Sequence, residues 1–265
     1  MHKVQLIAHR GESHDAPENT LSAVSLAWER GATVVEVDVH ATADHKICVI
    51  HDRSALRTTG KDLLVRKSTL TELQKLDAGS WKGEKWAGEK IPALEEVLET
   101  VPVHGKLVVE IKSGPGILDR LRIVLEESGL RNEQIEIIAF DLMTLAEAKR
   151  LMPQRRMFWV IESGPLWRQY ATGMHPKAVI TKLGELGMDG IAIGDSRHLT
   201  KKYVQEFVAA GMPVYVWTVN DPVRAAELLE YGVDGITSDR TAWMKEALEE
   251  KMAQMGTNKK NLQKK

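Results

Sequence analysis

The stretch Val34-Val35-Glu36-Val37-Asp38-Val39-His40 alternates branched apolar residues with ionisable ones. In an extended strand residues two apart share a face, so Glu36 and Asp38 point together while Val35, Val37 and Val39 point the other way. Two carboxylates on one face of a buried strand repel each other unless something positive lies between them, and a metal ion is the usual solution. On one side of this stretch, Leu6-Ile7-Ala8-His9-Arg10-Gly11 ends the chain's opening apolar run in a histidine and an arginine. On the other, Cys48-Val49-Ile50-His51-Asp52 repeats that layout. Two histidines, an arginine and a pair of carboxylates therefore crowd into the first part of the chain, which marks a site.

Short apolar runs of the same kind recur to the end of the sequence. Strands are expected near 4–8, 33–39, 106–111, 134–139, 155–161, 188–193, 213–218 and 233–237, each followed by a segment of helical period. Eight strand-then-helix units predict an α/β fold, a closed (β/α)8 TIM barrel, with an open doubly wound sheet as the alternative. Helix starts are read at Asn19 after Pro17-Glu18, at Asp141, and at Asp221 with Pro222 behind it, and helix stops at Gly31, Gly129, Gly211 and Gly232. The domain is expected to span 1–255, with 256–265 a basic, solvated tail. Residues from about Arg53 to Pro92 break the alternation. They carry a helix start at Thr69 with Glu72, and Trp81 and Trp86 among glycines, and they follow the second strand. Catalytic sites of such barrels sit at the C-terminal strand ends, so this insertion is expected to cap the pocket or to brace the barrel rim.

Composition narrows the partners. With 36 basic and 37 acidic residues in 265 there is no electrostatic footprint for nucleic acid, and no run approaches the length of an integral membrane segment. The one cysteine, Cys48, lies in an apolar run and is expected to be a buried, inert thiol. The first strand begins almost at Met1, which leaves no room for a secretory signal and gives a cytoplasmic expectation. Nothing in the sequence fixes an oligomeric state.

A further run, Leu107-Val108-Val109-Glu110-Ile111-Lys112, puts Glu110 and Lys112 on one face at a strand's C-terminal end. A lysine in a barrel mouth needs a counter-charge, which Glu36, Asp38 and Glu110 supply together with an anionic ligand. Three converging carboxylates without a thiolate suit a hard divalent cation, Mg²⁺ or Ca²⁺, and are also compatible with a structural ion-pair network.

The ordered set His9-Arg10-Gly11, Pro17-Glu18-Asn19-Thr20, Glu36-x-Asp38-Val39, Thr42-x-Asp44, His51-Asp52, Ile91-Pro92-x-Leu94-x-Glu96, Glu110-Ile111-Lys112, Trp217-Thr218-Val219-Asn220 and Asp234-Gly235-Ile236 resembles the glycerophosphodiester phosphodiesterase family. The resemblance runs from about Leu6 to about Asp239. It implies a (β/α)8 barrel that hydrolyses a small-molecule glycerophosphodiester to sn-glycerol 3-phosphate and an alcohol with a divalent metal. On this chain it makes Glu36, Asp38 and Glu110 the metal ligands, His9 and His51 the general acid and base, and Arg10 and Lys112 the groups that neutralise the phosphate. Phe140 and Trp217 would line the glycerol or alcohol pocket. The chemistry is consistent with these residue types, since an anionic diester must be neutralised before attack and two imidazoles can hold opposite protonation states near neutral pH. By analogy with phosphatidylinositol-specific phospholipases C, the glycerol 2-hydroxyl is the expected first nucleophile.

Other ionisable residues rank lower. His40 shares the face of Glu36 and Asp38 and is expected behind them or toward solvent, and Glu162 and Asp195, at strand ends, are placed for pocket lining. His45 stands where the family usually has glycine, so a positive φ is expected there at local cost. Two rival readings remain: a lysophospholipase D or sphingomyelinase-like enzyme with an apolar rim formed from Trp81, Trp86 and Leu63-Leu64, and a non-catalytic barrel that binds a phosphate ligand.

Overall fold

The computed structural model describes residues 4–262. Its strands are β1 (Gln5–His9), β2 (Val34–Ala41), β3 (Ile47–Val49), β4 (Lys106–Ile111), β5 (Ile135–Ala139), β6 (Arg156–Glu162), β7 (Gly190–Gly194), β8 (Val214–Trp217) and β9 (Gly235–Ser238). All but β3 pair in parallel, and β1 pairs with both β2 and β9, so eight strands close into a ring with its seam between the first and the last. The expected barrel is present. The alternation of each strand explains its two faces: Val35, Val37, Val39, Leu107 and Val109 point outward into the core shared with the surrounding helices, where a fully buried Val or Leu contributes about 1.5–3 kcal/mol.

Inward residues stack in three tiers. At the bottom the buried Glu136 carboxylate accepts hydrogen bonds from Lys106 Nζ and Arg156 Nη1, both at 2.9 Å, and from the Tyr215 hydroxyl at 3.0 Å. Above it Ile7, Val34, Val108, Ile138, Phe158 and Ala192 form a dry plug. Gly190 and Gly235 are required here, because a Cβ would fall 2.5 Å from the Phe158 ring at Gly190 and 2.7 Å from the Tyr215 ring at Gly235. Those two rings stack at 4.4 Å between centroids. The plug closes the barrel from below, so the polar tier above it opens only toward the C-terminal strand ends.

The caps at Asp141 and Asp221 form as expected, each side chain accepting from backbone N–H groups of the first helical turn. Thr69 and Glu72 make a reciprocal capping box. The first helix, Leu21–Glu29, differs: its cap is Thr20, while Asn19 adopts a left-handed φ of 60° and directs its side chain elsewhere. His45 does take a positive φ, 57°.

β3 is a short addition to the expected set. It returns antiparallel along β2, with Val49 opposite Val39 and the Ile50 N–H bonded to the Asp38 carbonyl, which brings Ile50 level with Asp38 and His51 one residue beyond it. The insertion that follows has an apolar core of its own, including Cys48, Ile50, Val65, Leu73 and Ile91. Cys48 is buried there and its thiol is pushed up to about 12, so it is inert. The last helix, Thr241–Leu262, takes in the start of the basic segment read as a tail, and 263–265 lie outside the described residues. Among the described residues no helix is long and apolar enough to cross a membrane.

Candidate active site

The upper tier of the barrel is a cavity of about 230 Å³ lined by His9, Arg10, Glu36, His51, Glu110, Lys112, Phe140 and Trp217 among others. Eight of the nine residues singled out from the sequence thus face one space, and the ninth, Asp38, is buried in contact with Arg10 and Lys112. Strand register explains the convergence. His9 is level with Glu36, and Asp38 with Glu110, on neighbouring strands.

Glu36, Asp38 and Glu110 each offer an oxygen within 4.8 Å of the others. Lys112 Nζ lies 2.5 Å from Glu110 Oε1 and 3.1 Å from Asp38 Oδ1, and Arg10 Nε lies 3.1 Å from Asp38 Oδ2. Three carboxylates face two cations, and the deficit is visible in the titration of the acids. Burial and the Asp38 charge push Glu110 up to about 7. Burial, Asp38 and Glu110 raise Glu36 as well. Burial acts on Asp38 in the same direction but is outweighed by Lys112 and Arg10, so Asp38 stays low. Glu36 Oε1 is buried without a hydrogen-bond partner. An orphaned carboxylate oxygen inside an all-oxygen cluster fits a hard divalent cation.

Both histidines are held in the same way. His9 Nδ1 is 2.6 Å from Asp239 Oδ1, and His51 Nδ1 is 2.6 Å from Asp52 Oδ1, which leaves Nε2 of each ring to the cavity. Asp239 is itself fixed by the Ser13 hydroxyl and the Asn220 amide, and these bonds with that of His9 carry it down to about 2 against the effect of burial. Asp52 is bound by Arg57, whose guanidinium also grips Glu18, and Glu18 accepts from Arg10. Burial draws the His51 imidazole below its ordinary value of 6.5, with Asp38 and Asp52 opposing it. Arg10 and Gly11 both take positive φ, 57° and 82°, and this turn aims the Arg10 N–H at Glu36 Oε2, 3.0 Å away.

Phe140 and Trp217 meet edge to face at 5.5 Å, and Lys112 Nζ lies 5.6 Å from the Phe140 ring centre. Glu162 lines the cavity as expected. Asp195 does not: Arg224 holds it, with Nη2 2.9 Å from Oδ1. His40 is buried behind the site, its Nε2 3.0 Å from the His51 carbonyl, so it buttresses His51 instead of facing solvent. None of residues 53–92 lines the cavity, so the insertion supplies none of its wall.

Sequence reading missed two supports. Asp239 lies at the end of the matched region with no motif around it. Asn19 is not the helix cap that its place in the sequence suggests: its Nδ2 donates to Asp38 Oδ2 at 2.8 Å and its Oδ1 accepts the Asp38 N–H at 3.1 Å. The usable signal for Asn19 was its place in Pro17-Glu18-Asn19-Thr20.

Comparison with known proteins gives a consistent set. The sequence model of the glycerophosphoryl diester phosphodiesterase family matches residues 9–242. The glycerophosphodiester phosphodiesterase of Caldanaerobacter subterraneus subsp. tengcongensis is 34% identical over 248 residues, covering 89% of this chain and 94% of its own. Among solved structures, an Oleispira antarctica phosphodiesterase in complex with the product sn-glycerol-3-phosphate superposes with a TM-score of 0.83 at 31% identity, covering 92% of this chain and 96% of the other. The Thermotoga maritima glycerophosphodiester phosphodiesterase does so at 0.74 and 26%, covering 93% and 99%.

Proposed function

The chain belongs to the glycerophosphoryl diester phosphodiesterase family, and on that premise we propose that its upper cavity hydrolyses a glycerophosphodiester to sn-glycerol 3-phosphate and an alcohol. The observation that carries the reading is the pairing of two carboxylate-held histidines with an acidic cluster in one cavity. Glu36, Asp38 and Glu110 would hold Mg²⁺ or Ca²⁺, which when bound polarises the phosphoryl oxygens. Arg10 and Lys112 neutralise the remaining phosphate charge. His51 is assigned the base, because burial favours its neutral form, and Nε2 is the atom that takes the proton of the attacking hydroxyl. His9 then protonates the departing alkoxide from Nε2, with Asp239 facing the imidazolium on the other side. Phe140 and Trp217 exclude water from the organic part of the substrate.

The nucleophile in this scheme is the glycerol 2-hydroxyl, which expels the alcohol and forms a cyclic phosphate that water then opens to sn-glycerol 3-phosphate, so a 2-deoxy analogue is not cleaved, and turnover of that analogue comparable to the parent diester would replace the hydroxyl with water. A lysophospholipid is the second reading, favoured by Leu56, Leu63, Leu64 and Trp81 exposed on the insertion. The cavity volume argues against it, since about 230 Å³ is below the roughly 300–1,000 Å³ of sites for drug-sized ligands. The test is release of glycerol 3-phosphate from a panel of glycerophosphodiesters and lysophospholipids, after chelation and after restoring Mg²⁺ or Ca²⁺. Metal-dependent release, lost in folded His9→Ala and Glu110→Gln proteins, is expected. Metal-independent release, or release that survives both substitutions, would overturn the assignment.

A further inference from the structure

A second cleft, of about 400 Å³, lies beside the main cavity and shares Lys112 with it. Two segments outside the eight-strand ring supply most of its wall. The insertion contributes Arg53, Val65 and Arg66, and the loop after β4 contributes Ser113 to Gly116. No carboxylate lines this space, whereas the main cavity has Glu36, Glu110 and Glu162. The two arginines are also unlike their neighbours. Arg10 and Arg57 are each locked to carboxylates, but the exposed side chains of Arg53 and Arg66 have no ion pair or hydrogen bond among the described residues.

An unpaired guanidinium is a ready donor for a phosphate, and two on one wall beside a lysine make a site selective for charge. Lys112 borders both spaces. It stands against the acidic cluster where the scissile phosphate is neutralised, and its other side opens on the arginine cleft. A group leaving the phosphorus past Lys112 therefore enters a basic, carboxylate-free space. A cationic leaving group is repelled there, and a neutral one finds no charged partner.

We propose, building on the phosphodiesterase reading, that the cleft between Arg53, Arg66 and the loop Ser113 to Gly116 binds the leaving alcohol, and that the favoured substrates are diesters whose alcohol carries a phosphate of its own. Hydrolysis breaks the bond between phosphorus and the alcohol oxygen. Over the whole reaction water supplies a hydroxyl to phosphorus and a proton to the departing oxygen, so a phosphorylated alcohol is released.

The experiment compares kcat/KM for glycerophosphoglycerol, its terminally phosphorylated form and glycerophosphocholine, in wild-type and Arg53→Gln/Arg66→Gln proteins, at low and raised salt. The terminal phosphate is expected to raise kcat/KM over glycerophosphoglycerol on the order of tenfold, as two rim charges would, with glycerophosphocholine the poorest substrate. That ratio falls toward one in the double variant and in raised salt. A wild-type ratio near one, or a ratio that survives the double substitution, overturns the proposal. If none of the three diesters is cleaved, it is the phosphodiesterase reading that fails. Calorimetric titration of the phosphorylated diester then reads the cleft directly, and equal Kd values for wild-type and double-variant protein overturn it.

Discussion

Without a divalent ion in the acidic cluster, the raised glutamates are expected to make the fold less stable as pH rises through the weakly acidic range. The cause is the crowding of Glu36, Asp38 and Glu110. Glu110 is pushed up to about 7, whereas a glutamate in the unfolded chain titrates near 4.5. Between those values the metal-free folded protein keeps a proton that the unfolded chain has released, so each increment of pH favours unfolding. Over the whole window the loss from Glu110 is roughly 3 kcal/mol, at about 1.4 kcal/mol per tenfold change in proton concentration. Glu36 is raised too and steepens the slope. Asp38 is lowered, and its stabilising contribution is complete above 3.8, so it adds no slope in this window. His51 and His40, both lowered by burial, act the other way, since below 6.5 the unfolded chain binds protons that the folded one does not. The assay is urea unfolding followed by tryptophan fluorescence, from about pH 5 to about pH 8, with chelator and with excess Mg²⁺ or Ca²⁺. Chelated wild type loses more stability than the ion-loaded protein as pH rises, most clearly above 6.5, where the histidines no longer oppose the loss. Metal-free Glu110→Gln has a shallower slope and, near the upper end, is more stable than metal-free wild type although it is inactive. The histidines are common to both proteins, so the comparison isolates Glu110: a metal-free Glu110→Gln protein with the wild-type slope would refute the picture of three mutually repelling acids.

Three further outcomes follow from the same geometry. With His51 as base, the acidic limb of kcat/KM against pH falls below 6.5, because burial favours the neutral ring and activity is lost only as pH drops through that lowered value; a limb above 6.5 counts against the assignment. Asp239→Asn keeps the shape but weakens the hold on His9, and kcat is expected to fall about 10- to 100-fold with little change in Tm; unchanged kcat would make Asp239 structural only. Gly11→Ala puts a Cβ 2.4 Å from the Ala23 carbonyl carbon at a φ of 82°, a combination expected to cost about 2–4 kcal/mol in urea unfolding, and a loss below about 1 kcal/mol would show that the turn can shift.

Much of this was legible because β-strand parity is a hard rule. It pairs Glu36 with Asp38 and Glu110 with Lys112 on the faces of their own strands, and the eight apolar runs set the ring, while the register that brings the two pairs together is a property of the fold. What escaped was local or long-range. β3 has only three residues, too few for its period to stand out. Asn19 carries a side chain that serves equally as a helix cap or as an arm reaching another strand, and only the proximity of Asp38 decides. Asp239 contacts His9 across the barrel seam, with nearly the whole chain between them. Asp195 looked like a pocket residue from its strand end, and Arg224 on a later helix claims it. The arginine cleft lies between an insertion and a loop, neither of which has a period to read.

The bond between His9 and Asp239 joins the first strand to the residue that follows the last one, across the seam where the ring closes. Catalytic competence therefore arrives last in synthesis: a nascent chain that has not yet released β9 from the ribosome has its acidic cluster and both imidazoles, but nothing to orient the first of them. Enzymatic activity then serves as a report of ring closure. A chain reconnected through its natural ends and opened in another loop keeps the pair, whereas one opened between Asp239 and the strand before it surrenders the pair first.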